Sequence, residues 1–283
     1  IGRIYKPHLG IVCSPISFVN ALNNALKGLN TKPSSQNQVL ANQAHEEYLE
    51  WGNMPLEAPN SGVDLTTAFR NLRENLDANT IITNGAGNYA VWGHRLFRFT
   101  NFGTQLAPIS GSMGYGLPAA ITAKLRNPDK TVIALAGDGC FQMTENEFAT
   151  AVQYNAGVIV FVVDNEMYGT IRMHQHKNYK GKYKHTGLIN PDFNKLAIAM
   201  GGQGYTVEKT EDFMSIYDEA REWTNINNLP SNNIDRIYIK NSFKSELGLT
   251  RGAFHEVYLK NPYESKRIIE IIIAKSVSYT HLR

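Results

Sequence analysis

Residues 131–165 read TVIALAGDGCFQMTENEFATAVQYNAGVIVFVVDN, and this stretch decides the fold. Two short, continuously apolar runs, 131–136 and 158–163, flank a segment with helical spacing. A strand with one wet face alternates apolar and polar residues, whereas a run apolar throughout is buried on both faces, as in a parallel sheet covered by helices. Between them, 145–154 carries Phe148, Ala151 and Val152 as a buried stripe, and Thr144 with Glu147 three residues on reads as a capping box. Strand, helix, strand is the repeating unit of a doubly wound α/β fold.

Outward from this stretch the alternation continues, with helices at 65–76 and 117–125 and a strand at 80–83. The expected architecture is α/β, a doubly wound and mostly parallel sheet with helices on both faces. Residues 1–12 read as the end of a strand and a turn, and 17–29 as a short helix, so 1–30 are expected to be the tail of a domain. Residues 31–60, with Pro33, Pro55 and Pro59 around a polar stretch, read as an interdomain linker. The main domain is expected over 61–275, with an irregular stretch at 223–265, where six Asn fall between 225 and 241 and Pro230 intervenes. The run IIEIII at 268–273 reads as one more core strand, and SVSYTHLR at 276–283 as a sequencing artefact.

Composition narrows the function classes. Of 283 residues, 42% are hydrophobic and 19% charged, too apolar for a disordered chain, and no apolar run is long enough to span a membrane. Lys and Arg total 28 against 25 acids, a net charge of +3 without a block of one sign, which argues against a nucleic-acid partner. Cys13 and Cys140 lie far apart and form no C-x-x-C, which argues against a disulfide framework or zinc site and fits a reducing cytoplasm. The chain starts at Ile1 with no initiator Met and no targeting signal, and is expected to be a piece of something longer.

In open parallel sheets, ligands gather at the carboxyl ends of the strands. The first run ends in Gly137-Asp138-Gly139-Cys140, where the glycines let backbone N–H groups approach an anion and Asp138 becomes a candidate metal ligand. An ordinary Asp-Gly turn is the alternative. The second run delivers Asp164 and Asn165 to its own carboxyl end, and a right-handed crossover places consecutive strands side by side. A carboxylate and an amide carbonyl, completed by a main-chain carbonyl, water and phosphate oxygens, make the oxygen shell that Mg²⁺ prefers. The third cluster, SGSMGYGLP at 110–118, sets Gly111, Gly114 and Gly116 ahead of a helix, with Met113 either under a flat ligand or in the core.

In this order and at these spacings, the clusters resemble the diphosphate-binding domain of the thiamine-diphosphate-dependent enzymes, in the acetolactate synthase and benzoylformate decarboxylase branch. The family signature pairs GDG with an NN about 25 residues later, or with a single matched Asn. Here GDG at 137–139 is followed by DN at 164–165, so Asp164 replaces the first Asn. The resemblance covers 61–222 densely and 1–30 loosely, where 1–12 look like the last strand of the family's middle domain and 1–30 like that domain's tail. It implies that Asp138, Asn165 and the Met167 carbonyl hold Mg²⁺, and that the N–H groups of Gly139 and Cys140, in the turn begun by Gly137, and of Tyr168 and Gly169, after the second strand, face the diphosphate. By the same resemblance Met113 props the thiamine and the Gly111 carbonyl accepts from its aminopyrimidine. Asn88 and Tyr89 of NGAGNYAVW at 84–92 would touch the terminal phosphate.

The resemblance also implies that the catalytic Glu lies on a separate N-terminal domain. No catalytic residue is then expected in this chain, which alone would bind cofactor weakly and turn over nothing. Its substrate would be a 2-oxo acid such as pyruvate, and its parent a homodimer or tetramer. Decarboxylation, carboligation and oxidation share the cofactor residues, and FAD dependence stays open. Arg172, His174, His176 and Lys177 follow the metal loop, either to meet a substrate carboxylate or as a solvated basic lid.

Two other readings stand beside this one. Gly85-x-Gly87-x-x-Ala90 after the strand at 80–83 matches the loose fingerprint of an NAD-dependent dehydrogenase. Yet no Asp or Glu lies between Asp77 and Asp129, where an acid for the ribose hydroxyls belongs, while His94, Arg95, Arg98, Lys124 and Arg126 favour a phosphate-rich ligand. The other reading is a non-catalytic nucleotide- or diphosphate-binding module.

Overall fold

The computed structural model describes residues 2–29, 32–53, 59, 62–179, 181–225 and 235–240. The chain divides into two compact units, Ile1–Trp51 and Gly52–Arg283. The first holds α1 (Pro15–Leu26) and most of α2 (Ser35–Asn53). Helix α1 begins where Ser14 Oγ accepts the Ser17 N–H at 3.1 Å and Pro15 fills a first-turn position that needs no donor. Against expectation, residues 2–12 form no strand. An extended segment without a neighbour has nothing to receive its N–H groups, so the apolar residues there do not suffice.

The second unit runs α3 (Leu65–Asn75), β1 (Ile81–Asn84), α4 (Ala90–Leu96), β2 (Gln105–Leu106), α5 (Gly116–Arg126), β3 (Val132–Gly137) and α6 (Asp138–Gln142). It continues with α7 (Glu147–Gln153), β4 (Ile159–Asp164), α8 (Gly169–Tyr179), α9 (Phe193–Ala199), β5 (Gln203–Val207), α10 (Phe213–Asn225) and β6 (Asp235–Lys240). The strands form one sheet in the order β2-β1-β3-β4-β6-β5, with every pairing parallel. The expected doubly wound α/β class is therefore present, fully rather than mostly parallel among the described residues.

Strands β3 and β4 are buried along their whole length, and alternate residues feed two cores. On one face Ile133, Leu135, Ile159 and Phe161 pack with Phe69, Trp92, Phe213 and Tyr217, which come from α3, α4 and α10. On the other, Ala134, Ala136, Val160 and Val162 pack with Leu117, Ile121, Phe148 and Phe193, from α5, α7 and α9. Full burial of such side chains stabilises by roughly 1.5–3 kcal/mol each. Helix α5 starts at a glycine for a steric reason: a Cβ on Gly116 would lie 3.0 Å from the Gly85 N and 3.1 Å from the Leu135 O. The close approach sets the loop before α5 against the carboxyl ends of β1 and β3.

Two expectations need correcting. The capping box does not form: Asn146 is the N-cap of α7, and the Thr144 hydroxyl donates instead to the Gly114 carbonyl at 2.9 Å. The loop beneath offers Thr144 a buried acceptor, and that bond outcompetes the local cap. The stretch read as irregular contains β6, which pairs with both β4 and β5, because an inner strand draws its stability from two neighbours as well as from its own pattern. The run at 268–273 and the segment 276–283 lie outside the described residues.

Candidate functional site

The sheet register builds the site. Gly137 pairs with Val163, so the next residues, Asp138 and Asp164, leave the neighbouring strand ends side by side, 3% and 4% exposed. Between them lies Asn190, whose Nδ2 donates to Asp138 Oδ2 at 2.8 Å and to Asp164 Oδ1 at 2.6 Å. Its own Oδ1 accepts from Gln142 Nε2 at 2.8 Å. Asp138 Oδ1 accepts the Gly139 N–H at 2.8 Å, and Asp164 Oδ1 accepts the Glu166 N–H at 3.0 Å. Burial pushes the Asp138 carboxyl up to about 7 against the opposing pull of the Asn190 and Gly139 hydrogen bonds, and the Asp164 charge pushes the same way.

Asn165, the expected metal ligand, is half-buried beside this pair, and its Oδ1 accepts the Met167 N–H at 3.2 Å. The loop turns through Glu166 at a left-handed φ of 53°. Its other edge is bonded to residues 186–188: Tyr168 N–H donates to Thr186 O at 2.9 Å and Leu188 N–H to Glu166 O at 2.8 Å. The Met167 carbonyl accepts the Gly169 N–H at 2.9 Å. Of the N–H groups implied for a diphosphate, those of Gly139, Tyr168 and Gly169 thus have partners within the chain. A Cβ on Gly139 would stand 2.5 Å from the Tyr168 ring and 3.2 Å from Leu188 Cδ1, so the glycine lets that loop lie over the turn.

At the end of β1, the NGAG turn is filled from within. A Cβ on Gly85 would lie 2.7 Å from Cys140 Sγ, and one on Gly137 would lie 2.8 Å from the Tyr89 ring. The Tyr89 hydroxyl donates to Cys140 Sγ at 3.0 Å, and the Gly114 N–H donates to the same sulfur at 3.2 Å. Cys140 therefore ties together the turn after β1, the loop before α5 and helix α6. Burial, then the neighbouring Cys140, holds the Tyr89 phenol well above the ordinary tyrosine range, so it stays a donor. Asn88 is 8% exposed; its Oδ1 accepts from the Thr170 hydroxyl at 2.7 Å, while its Nδ2 is buried with no hydrogen-bond partner. Met113 is half-buried against the core, and Gly111 is exposed at φ +68°.

The basic residues grouped by sequence do not all reach this end. Lys124 Nζ donates to the Lys130 carbonyl ahead of β3 at 2.9 Å, and Arg98 lines a small cavity with Thr80 and Thr104, which precede β1 and β2. Arg172 and His176 of α8 both engage Tyr183, the first with its guanidinium 4.2 Å from the ring centroid, the second through Nδ1 to the hydroxyl. Among the described residues no three His, Cys, Asp or Glu side chains gather as a metal site, so any metal here relies on amide and main-chain oxygens as well as acids. The sequence reading missed Asn190, Thr170, Gln142 and Tyr183.

Residues 85–227 match the family described as thiamine pyrophosphate enzyme, C-terminal TPP binding domain. The mitochondrial acetolactate synthase catalytic subunit of Aspergillus candidus is 44% identical over 144 residues, covering 50% of this chain and 21% of that protein. The acetolactate synthase large subunit of Pyropia yezoensis is 28% identical over 227 residues, covering 79% of this chain and 38% of that protein. The chain thus spans well under half the length of these relatives. Among solved structures, a thiamine diphosphate-dependent 4-hydroxybenzoylformate decarboxylase of Rhodococcus jostii RHA1 superposes with a TM-score of 0.58 at 25% identity, over 65% of this chain and 34% of that one. With GDG and DN on adjacent strand ends and the family match over half of its residues, this chain belongs to the thiamine pyrophosphate enzymes, of the acetolactate synthase and decarboxylase type, and carries their C-terminal cofactor-binding domain.

Proposed function

We propose that the carboxyl ends of β1, β3 and β4 hold thiamine diphosphate through Mg²⁺, and that the whole protein decarboxylates or condenses a 2-oxo acid such as pyruvate. The observation that carries this reading is the pair of buried carboxylates, Asp138 and Asp164, at the ends of paired strands, where a cation relieves their desolvation and mutual repulsion. The residues fit the group. Asp138, Asn165 and the Met167 carbonyl offer oxygen donors, the type that Mg²⁺ prefers, and the orphaned Asn88 amide is a ready donor for a phosphate oxygen. Filling of the NGAG turn by Tyr89 and Cys140 counts against a dinucleotide there.

When bound, thiamine diphosphate supplies the nucleophilic carbon and the electron sink for 2-oxo acid chemistry. The chain's own residues position and anchor. Asp138, once ionised, would ligate the metal, the Asn88 amide would donate to the diphosphate, and Met113 would present an apolar surface to the ring. Tyr89 and Cys140 fix the turn from which Asn88 projects. We infer that the acid–base Glu is supplied by another domain of the whole protein. We further place the parent protein as a dimer or tetramer in the cytoplasm, with FAD as a cofactor to be tested by absorbance.

Calorimetric titration of thiamine diphosphate into the purified protein, with MgCl₂ and then with EDTA, tests the reading. Saturable binding that weakens by about tenfold or more in EDTA is expected. Equal binding in both, or tight NADH binding with none of thiamine diphosphate, would contradict it.

A further inference from the structure

We propose that Asn190 is the positioning residue of the Mg²⁺ ligand Asp138, and that Asp164, standing where the family signature has Asn, holds Asn190 in that role. The inference rests on the proposed reading of the site. One amide group makes all three contacts: Nδ2 donates to Asp138 and to Asp164, and Oδ1 accepts from Gln142. A flipped amide would set Oδ1 against two carboxylates and Nδ2 against the Gln142 amide donor. With both acids ionised every contact would then be repulsive, which fixes the orientation.

That fixed amide in turn fixes Asp138. With Oδ2 on Asn190 and Oδ1 on the Gly139 N–H, the carboxylate cannot rotate, yet each oxygen keeps a second lone pair for a cation. Asp164 is the stronger anchor for this arrangement. A carboxylate accepts a charge-assisted bond, shorter and about twice as strong as an amide carbonyl would, and the contact is the shorter of the two, at 2.6 Å. It also cannot flip, as an Asn at 164 could. Asn190 arrives on the strip bonded to the metal loop at Thr186 and Leu188, so the residue that orients Asp138 moves with the loop that carries Asn165 and Met167.

The test is Mg²⁺ affinity, measured by calorimetry in the purified protein with saturating thiamine diphosphate, alongside thermal unfolding without metal. Asn190→Ala should weaken Mg²⁺ about tenfold or more, the usual cost of removing a residue that orients a metal ligand. Asp164→Asn should weaken it roughly threefold or more on its own and by less in the Asn190→Ala background, because part of its effect runs through Asn190 while the lost charge acts in either background. An Asn190→Ala affinity within about twofold of wild type, or fully additive losses in the double variant, would overturn the proposal. Should Asn190→Ala fail to fold, Gln142→Ala removes the outer brace and should still weaken Mg²⁺ about threefold; no change there would equally overturn it. If Asp138→Ala binds Mg²⁺ and cofactor like wild type, the reading of the site has failed, whatever Asn190 does.

Discussion

The shafts of β3 and β4 and the tips of the same strands obey different physics. Along the shafts, residues 132–137 and 159–163, every side chain is apolar and buried, and the backbone groups pair with neighbouring strands. One residue beyond, two acids are equally buried but held by a few hydrogen bonds, one of them from Asn190, 52 residues from Asp138. Free energy in the shaft is spent on folding. At the tip, desolvated charge is held in reserve for a ligand. Substitutions in the shaft should therefore lower stability with or without cofactor, whereas tip substitutions should mainly remove the response to cofactor.

The largest effect expected is in the shaft. Phe161 is fully buried, with ring centroids 5.4 Å from Phe213 and 6.2 Å from Phe69, and Phe161→Ala should cost about 3–5 kcal/mol in denaturant unfolding. A loss below about 1 kcal/mol would show that the shaft is looser than its packing implies. Next comes the tip: Asp138→Ala should weaken Mg²⁺-dependent cofactor binding by about 100-fold, roughly 2.7 kcal/mol, while leaving metal-free stability unchanged or raised, since a costly buried acid is gone. Cys140 lies between the two regimes. Cys140→Ala strands the Tyr89 hydroxyl and the Gly114 N–H and should cost about 1–3 kcal/mol, and Cys140→Ser should recover part of it. Unfolding at a neutral pH distinguishes the two variants directly.

The smallest effect is a pH dependence that sharpens the contrast. Asp138 titrates at about 7 in the fold against 3.8 for an ordinary Asp, so the metal-free fold carries a proton that the unfolded chain has lost between those values. Its metal-free stability accordingly declines as pH rises through that window, the reverse of a salt-bridged carboxylate. Mg²⁺ must displace that proton, so its affinity should rise with pH toward 7 and level off above. Calorimetry at a series of pH values would show this, and a flat profile would mean that Asp138 is already ionised in the fold. In Phe161→Ala the same profile should persist.

The contrast also explains what was legible in the sequence. The runs at 131–136 and 158–163 announce β3 and β4 because burial on both faces demands continuous apolar residues, and their tips follow by counting. The same counting places Asp164, rather than Asn165, level with Asp138, a consequence of the Gly137–Val163 register that the motif match had obscured. β2 has only two residues and β5 is an edge strand with mixed exposure, so neither carries a period, and β6 sits in an Asn-rich stretch whose composition argues for a loop. Asn190 had no local signal at all. Its role arises only when Thr186 and Leu188 bond to the metal loop, and no spacing within the chain encodes that closure.

Thermal unfolding of wild type, Phe161→Ala and Asp138→Ala, each with and without thiamine diphosphate plus MgCl₂, separates shaft from tip in one experiment. Ligands that bind only the folded state raise Tm in proportion to their affinity. Wild type and Phe161→Ala should gain similar increments from different starting points, and Asp138→Ala should gain far less. An undiminished increment in Asp138→Ala, or no increment in wild type, would contradict the assignment of the strand tips as the cofactor site.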